Sequence, residues 1–226
     1  PVLLLEKESF GGQIASSPRV ENFPGLMSVS GAELADRLYN QAEALGARLE
    51  LEEVLEVRDG SCKTVITDYG TYTCSALILA TGMKHRTLGL PGEDTMAGIS
   101  FCAVCDGAFF RNREVAVYGG GNTAVEDAIY LSGICRKVTI IHRRDRFRAE
   151  DRLVRELKSK DNVVFAMEKT VSSVQGEKII QSVTLRDGKT GEETELPVDG
   201  FFVAIGQVPN GEPFRGLVEM DDAGYY

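Results

Sequence analysis

Apolar residues along this chain fall into two recurring patterns, short unbroken runs and stripes three or four residues apart. Val2-Leu3-Leu4-Leu5 is a run that predicts a short buried strand ending at Glu6. After Ser30, the residues Leu34, Leu38, Ala42 and Leu45 recur at a helical period. Glu33, three residues beyond Ser30, has capping-box spacing, and Gly46 is placed to end the helix. Residues 48 to 73 alternate in short pieces broken at Asp59-Gly60 and Tyr69-Gly70, which predicts a β-meander. Ala76-Leu77-Ile78-Leu79-Ala80 then predicts a buried strand closing at Thr81-Gly82.

The same plan repeats from Glu114. A strand over Val115 to Tyr118 runs into Gly119-Gly120-Gly121, and a helix is expected over about Thr123 to Ser132. A strand over Val138 to Ile141 ends at His142-Arg143-Arg144, and a helix over about Ala149 to Lys160 follows. Meander pieces over 163 to 187 and 193 to 197 lead to a strand over Phe201 to Ala204, closed by Ile205-Gly206. Strands alternating with helices indicate an α/β fold of two Rossmann-like, three-layer dinucleotide-binding domains, each with a β-meander. In the first unit the opening strand and glycine turn are missing. Because such a unit needs about 30 residues from its turn to the acid that meets the ribose, and Glu6 stands where that acid belongs, the turn is expected just upstream of Pro1. The alternative is that Glu6 is simply a solvated residue at a strand end. The chain opens inside a strand-like run and stops at Gly224-Tyr225-Tyr226, which predicts a fragment cut through elements at both ends.

Composition narrows the class. With 226 residues, 43% of them apolar and 26% charged, the chain can bury a real core and is too apolar for disorder. A net charge of −9 argues against nucleic acid, whose phosphates are bound by surplus lysine and arginine. No apolar run approaches the roughly 18 residues that span a bilayer. Five irregularly spaced cysteines do not make a secreted disulfide framework, so a reducing, cytoplasmic setting is expected.

Two motifs carry chemistry. Gly119, Gly121 and Ala124 fit G-x-G-x-x-A between a strand and a helix. The first glycine permits the tight turn, the second lets backbone approach a pyrophosphate, and the small third residue lets helix and strand pack closely. The end of the next strand, where an NAD site carries an acid, is instead basic. His142, Arg143, Arg144 and Arg148 suit the 2′-phosphate of NADPH. Cys102 and Cys105 can close a small disulfide ring, with Asp106 adjacent to exchange a proton with the leaving sulfur. The competing zinc reading lacks ligands, since there is no second C-x-x-C, the only histidines are His85 and His142, and Cys62, Cys74 and Cys135 are scattered. Those three cysteines are expected to be packing residues.

Taken in order, Gly11-Gly12-Gln13, residues 20 to 25, 80 to 82, 88 to 93, 102 to 110, 115 to 126, 142 to 150 and 203 to 210 resemble the bacterial-type, low-molecular-weight thioredoxin reductase family over the whole chain. The resemblance implies an FAD enzyme passing electrons from NADPH through flavin and the disulfide to oxidised thioredoxin. It implies Cys105 as the sulfur nearest the flavin, Cys102 as the one that attacks thioredoxin, and Asp106 as acid/base. It adds Asn122, Thr123, Glu126 and Ile205 to the NADPH site, and places FAD against Glu6, Gly11, Gly12, Gln13, Asn22, the backbone near Val54, Thr81 and Gly82. It also implies a homodimer, and domain rotation about linkers near residues 84 to 90 and 206 to 210. The domains expected are a partial FAD-binding domain over 1–87, continued by 207–226, and an NADPH-binding domain over 88–206 that carries the disulfide. Two alternatives remain: the flavoprotein of an alkyl hydroperoxide reductase system, against which Arg143, Arg144 and Arg148 argue, and a non-catalytic NADP(H)-binding module. The chain as given is expected to bind NADPH, to hold FAD weakly, and to be least stable in its first 83 residues.

Overall fold

The computed structural model describes residues 1–17 and 19–226, in two units: residues 1–84 with 208–226, and residues 85–207.

In the first unit, β1 (Val2–Glu6) is followed by a short α1 (Gly12–Ala15), by α2 (Gly31–Ala44) and by β2 (Ala47–Leu51). β1 and β2 pair in parallel, from Val2 opposite Ala47 to Glu6 opposite Leu51. Ser30 caps α2 by accepting from the Glu33 N–H at 3.1 Å, while the Glu33 carboxylate turns to Arg37 at 2.6 Å instead of closing the second half of the box. Gly46, at φ 88°, takes the left-handed conformation that stops the helix. β3 (Val54–Arg58), β4 (Lys63–Thr67) and β5 (Thr71–Cys74) form an antiparallel meander.

Two expectations for this unit are corrected. Residues 48 to 51, read as the first meander piece, belong to the parallel pair, because alternation marks a strand without naming its partner. Ala76 to Ala80 are irregular, and Ile78 is 89% exposed. An apolar run becomes a strand only where a neighbour accepts its N–H and C=O groups, and no strand among the described residues does so. β1 is a strand as expected but not a buried one, since Val2 and Leu4 are exposed.

The chain leaves the first unit through β6 (Met83–His85). The second unit runs β7 (Ile99–Ser100), α3 (Ala103–Asp106), β8 (Glu114–Gly119), α4 (Asn122–Ser132), β9 (Lys137–His142), α5 (Asp151–Lys158), β10 (Val163–Met167), β11 (Lys169–Gly176), β12 (Ile180–Asp187), β13 (Glu193–Pro197) and β14 (Gly200–Ala204). The return segment β15 (Gln207–Pro209) pairs with β6.

Five strands form one parallel sheet in the order β10-β9-β8-β14-β7. Successive side chains alternate between its faces. Val115, Val117, Val138, Ile140 and Phe202 pack with Ala124, Ala128 and Leu131 of α4 and Leu153 and Leu157 of α5. Ala116, Tyr118, Ile141, Phe201 and Val203 pack with Val174, Ile180, Val183 and Leu185 of the antiparallel meander β11-β12-β13. Helices, sheet and meander thus make the three layers of a Rossmann-like unit, and both faces of the sheet are dry, as a parallel sheet requires. Residues 163 to 167 are corrected here as well, since they extend the parallel sheet as β10 and are not part of the meander. Among the described residues, no helix is long and apolar enough to cross a membrane.

One buried and one half-buried carboxyl test this unit. Glu93, 4% exposed, accepts from the backbone N–H groups of Leu88 (2.8 Å), Gly89 (2.9 Å) and Leu90 (3.3 Å), holding the loop that opens the unit. Glu93→Ala leaves three donors unpaired and should destabilise the chain by about 2–4 kcal/mol in denaturant titration, with Glu93→Gln costing less. Asp127, half-buried on α4 with no hydrogen-bond partner among the described residues, is pushed up to about 6 by burial and by neighbouring Glu126. A carboxyl with a raised folded-state pKa binds its proton more tightly when folded, so its contribution is present below about pH 4 and is lost as the pH climbs through about 6. Asp127→Asn should therefore stabilise the chain at pH 7 by about 1–3 kcal/mol and flatten the thermal-stability profile between about pH 4 and 6.

Candidate functional site

The second unit carries a disulfide and a glycine turn, both at the carboxyl ends of parallel strands. Ser100 ends β7, and two residues later Cys102 caps α3 in an extended conformation. Cys102 and Cys105 are disulfide-bonded. The Sγ of Cys102 also accepts the Cys105 N–H at 3.2 Å. The short helix is seated by Ala103, 1% exposed, and by Gly107 just behind it, where any Cβ would come within 2.9 Å of Leu131 on α4.

Asp106 follows the second cysteine and is oriented by a residue that the sequence did not single out. The buried Ser100 hydroxyl lies 2.7 Å from Asp106 Oδ2, accepts the Cys102 N–H at 3.1 Å, and stands 3.3 Å from the Cys102 carbonyl. One hydroxyl therefore locks the carboxylate to the backbone of the disulfide. A serine at a strand end carries no sequence signal of such a role. Ser100 and Asp106 line a shallow cleft of about 280 Å³ with Phe109 and Phe110. Phe110 packs edge-on against Phe202 at 5.3 Å, whereas Phe109 is 81% exposed.

The other cysteines divide. Cys135 lies in the core, where burial pushes its thiol up to about 11 and leaves it inert. Cys74 is half-buried, and Cys62 is exposed, contrary to the expectation that all three are packing residues.

The three segments expected to meet NADPH converge. Gly119 ends β8, the arginine loop follows β9 on one side, and Ile205 follows β14 on the other, with Ala204 paired to Gly119. A Cβ on Gly119 would lie 2.7 Å from Ala124 Cβ, so the close helix–strand approach is real. A Cβ on Gly121 would meet nothing within 4 Å, and Gly121 caps α4 without any side-chain hydrogen bond. The first turn of α4 therefore has no side-chain cap at Gly121, as an anion site at a helix N-terminus requires. Thr123 and Glu126 are exposed on the first turns of α4, and Asn122 exchanges hydrogen bonds with Glu150. Arg143, Arg144 and Arg148 are exposed and make no ion pair among the described residues. His142 differs from the arginines that follow it. It is 5% exposed, its ring lies where a Gly120 Cβ would stand, and its Nε2 donates to the Arg146 carbonyl at 3.1 Å.

In the first unit, Glu6 ends β1 and accepts the Glu8 N–H at 3.0 Å. Gly11, at φ 110°, precedes α1, and a Cβ there would lie 2.5 Å from that of Ala35. Gln13 donates to the Met83 carbonyl at 2.6 Å, which brings the Gly11-Gly12-Gln13 segment to Thr81-Gly82. Thr81 meets the Tyr226 hydroxyl at 3.0 Å, and the Gly82 carbonyl accepts from Asn210. Asn22 is exposed and Val54 begins β3. No strand–glycine turn–helix like that at Gly119 occurs in this unit among the described residues.

The family model for pyridine nucleotide-disulphide oxidoreductases matches residues 2–226. The chain is 41% identical to the thioredoxin reductase of Mycolicibacterium smegmatis, over 99% of this chain and 73% of that protein, and 40% identical to that of Bacillus subtilis, over 99% and 72%. Among solved structures it superposes on Lactococcus lactis thioredoxin reductase in the FR conformation with a TM-score of 0.78 at 39% identity, covering 98% of this chain and 75% of that one. The thioredoxin reductase of T. acidophilum matches with a TM-score of 0.75 at 33% identity, over 99% and 75%. The chain belongs to the pyridine nucleotide-disulphide oxidoreductase family, among its thioredoxin reductases.

Proposed function

We propose that the chain is a thioredoxin-disulfide reductase that takes electrons from NADPH through FAD to the Cys102–Cys105 disulfide and on to oxidised thioredoxin. The observation that carries this reading is a disulfide beside an oriented carboxylate in the same unit as an uncapped dinucleotide turn. The residues fit NADPH: the open face before Gly121 and the free N–H groups of α4 suit its pyrophosphate, and Arg143, Arg144 and Arg148 suit its 2′-phosphate. They fit FAD in part. Gly11 to Gln13 and Thr81-Gly82 form one surface through the Gln13 bond, but the described first unit has no glycine turn for the flavin's pyrophosphate.

When bound, NADPH and FAD supply a hydride and relay its two electrons to sulfur. The chain's own part is sulfur and proton chemistry. Two electrons break the Cys102–Cys105 bond, and two protons are needed to give two thiols. Asp106, fixed by Ser100, stands where it can hold and return one of them. The Cys105 N–H already points at Cys102 Sγ, so once the bond opens it stabilises a thiolate there, which favours Cys102 as the attacking sulfur. Attack on the partner's disulfide forms a mixed disulfide and expels one partner thiolate. Attack by Cys105 on Cys102 then restores the chain's disulfide and releases the second, leaving the partner a dithiol.

A second reading is an NADP(H)-binding module without flavin, in which the described residues of the first unit, having no strand–glycine turn–helix, do not hold FAD. Visible flavin absorbance of the purified chain separates the two, followed by NADPH-dependent reduction of thioredoxin with FAD supplied. Activity is expected in that assay, and a colourless, inactive chain that still binds NADPH would establish the binding-module reading. Cys102→Ser or Cys105→Ser should abolish thioredoxin reduction while leaving NADPH affinity within about twofold, because neither sulfur touches the turn. Arg143→Ala with Arg144→Ala should raise the NADPH dissociation constant by about a hundredfold, since two charge-assisted contacts are lost, and should hardly move NADH. Equal loss for both nucleotides would show these arginines to be structural.

A further inference from the structure

The glycine turn and the arginine loop follow neighbouring strands, and three links tie them together. The Arg148 N–H donates to the Gly120 carbonyl at 2.7 Å. The Glu150 N–H donates to Asn122 Oδ1 at 2.9 Å, and the Asn122 amide returns a bond to the Glu150 carboxylate at 3.1 Å. Beneath both lies His142, stacked on Phe147 at 5.5 Å between ring centroids, with Nε2–H donating to the Arg146 carbonyl. The Asn122–Glu150 pair is exposed to water, whereas the imidazole is buried. Gly120 has no side chain because the ring takes that space. Burial, reinforced by Arg144, Arg148 and Arg143, holds the imidazole below its usual pKa against the Arg146 bond, so the ring is neutral.

We infer that His142 is a positioning residue: it sets the spacing between the pyrophosphate turn and the 2′-phosphate loop, and so contributes to the preference for NADPH over NADH without touching either. The inference rests on the nucleotide reading above. A ligand with two anionic groups at fixed separation gains from two subsites only when both are held in register, since any drift must be frozen out on binding. NADH uses the turn alone, and adenosine 2′-monophosphate uses the loop alone. A residue that fixes the spacing therefore acts on NADPH far more than on either fragment.

The test is calorimetric titration of the full chain with these three ligands. His142→Ala should weaken NADPH about tenfold more than NADH or adenosine 2′-monophosphate, each of which should change by less than about threefold. His142→Gln, whose amide can still reach the Arg146 carbonyl, should recover most of the loss. Gly120→Ala should reproduce the His142→Ala effect by displacing the ring, and the double variant should be no weaker than His142→Ala alone, because the clash is gone. Equal weakening of all three ligands, or an unchanged NADPH-to-NADH ratio in folded His142→Ala or Gly120→Ala, would overturn the inference while leaving the nucleotide reading intact. If His142→Ala fails to fold, Gly120→Ala decides the matter by the same ratio. Absence of NADPH binding by the unaltered chain would overturn the reading and the inference together.

Discussion

A parallel sheet covered on both faces can present chemistry to solvent only at the ends of its strands. In the second unit the helices cover one face and the meander the other, so Val117, Ile140 and Phe202 on one side and Ala116, Ile141 and Phe201 on the other are withdrawn from water. The groups proposed to carry the chemistry then fall on residues that end or follow a strand: Ser100 and the disulfide after β7, the glycine turn after β8, the arginine loop after β9, and Ile205 after β14. The order of strands decides which of these meet. Because β8 lies between β9 and β14, the glycine turn is flanked by the arginine loop and by Ile205.

Small residues transmit that constraint into position. Gly200 lies against the Phe110 ring, Gly107 against Leu131 and Tyr130, and Gly119 against Ala124. At each place a side chain is omitted so that a neighbouring element can come close, and together the first two seat the α3 segment on the sheet and on α4. Overpacking at such sites typically costs about 1–3 kcal/mol. At the disulfide the larger consequence is geometric, because Asp106 and the two sulfurs keep their mutual placement only while this short helix stays seated.

The same distinction explains what could be read from the sequence. Periodicity located α2, α4 and the central strands of the second unit to within a residue or two, since these elements are specified by their own apolar spacing. It assigned residues 48 to 51 and 163 to 167 to the wrong sheets, because alternation is identical for parallel and antiparallel partners. Ala76 to Ala80 shows the converse, an apolar run whose conformation depends on a neighbour it does not have among the described residues. Among the residues proposed for the site, those recognisable by charge or by absence of a side chain could be proposed from the sequence. Ser100 was not, because its role comes from where β7 delivers its hydroxyl. His142 read as one more basic group beside three arginines, yet its burial turns the imidazole toward the backbone.

That inward turn clarifies the electrostatics of the basic strand end. The chain carries 34 acidic against 25 basic side chains, and many of its cations pair locally, as Arg37 does with Glu33, Arg58 with Glu56 and Lys189 with Glu168. Exposed pairs of this kind contribute about 0–1 kcal/mol each, so leaving Arg143, Arg144 and Arg148 without carboxylates sacrifices little stability. The same guanidiniums offered to a doubly charged phosphate gain considerably more, about 1.5–3 kcal/mol per charge-assisted bond. With so many carboxylates available, an arginine cluster kept free of them at the end of β9 is what the proposed 2′-phosphate site calls for. A neutral His142 below the cluster keeps the backbone fixed without adding a fourth cation to repel the other three.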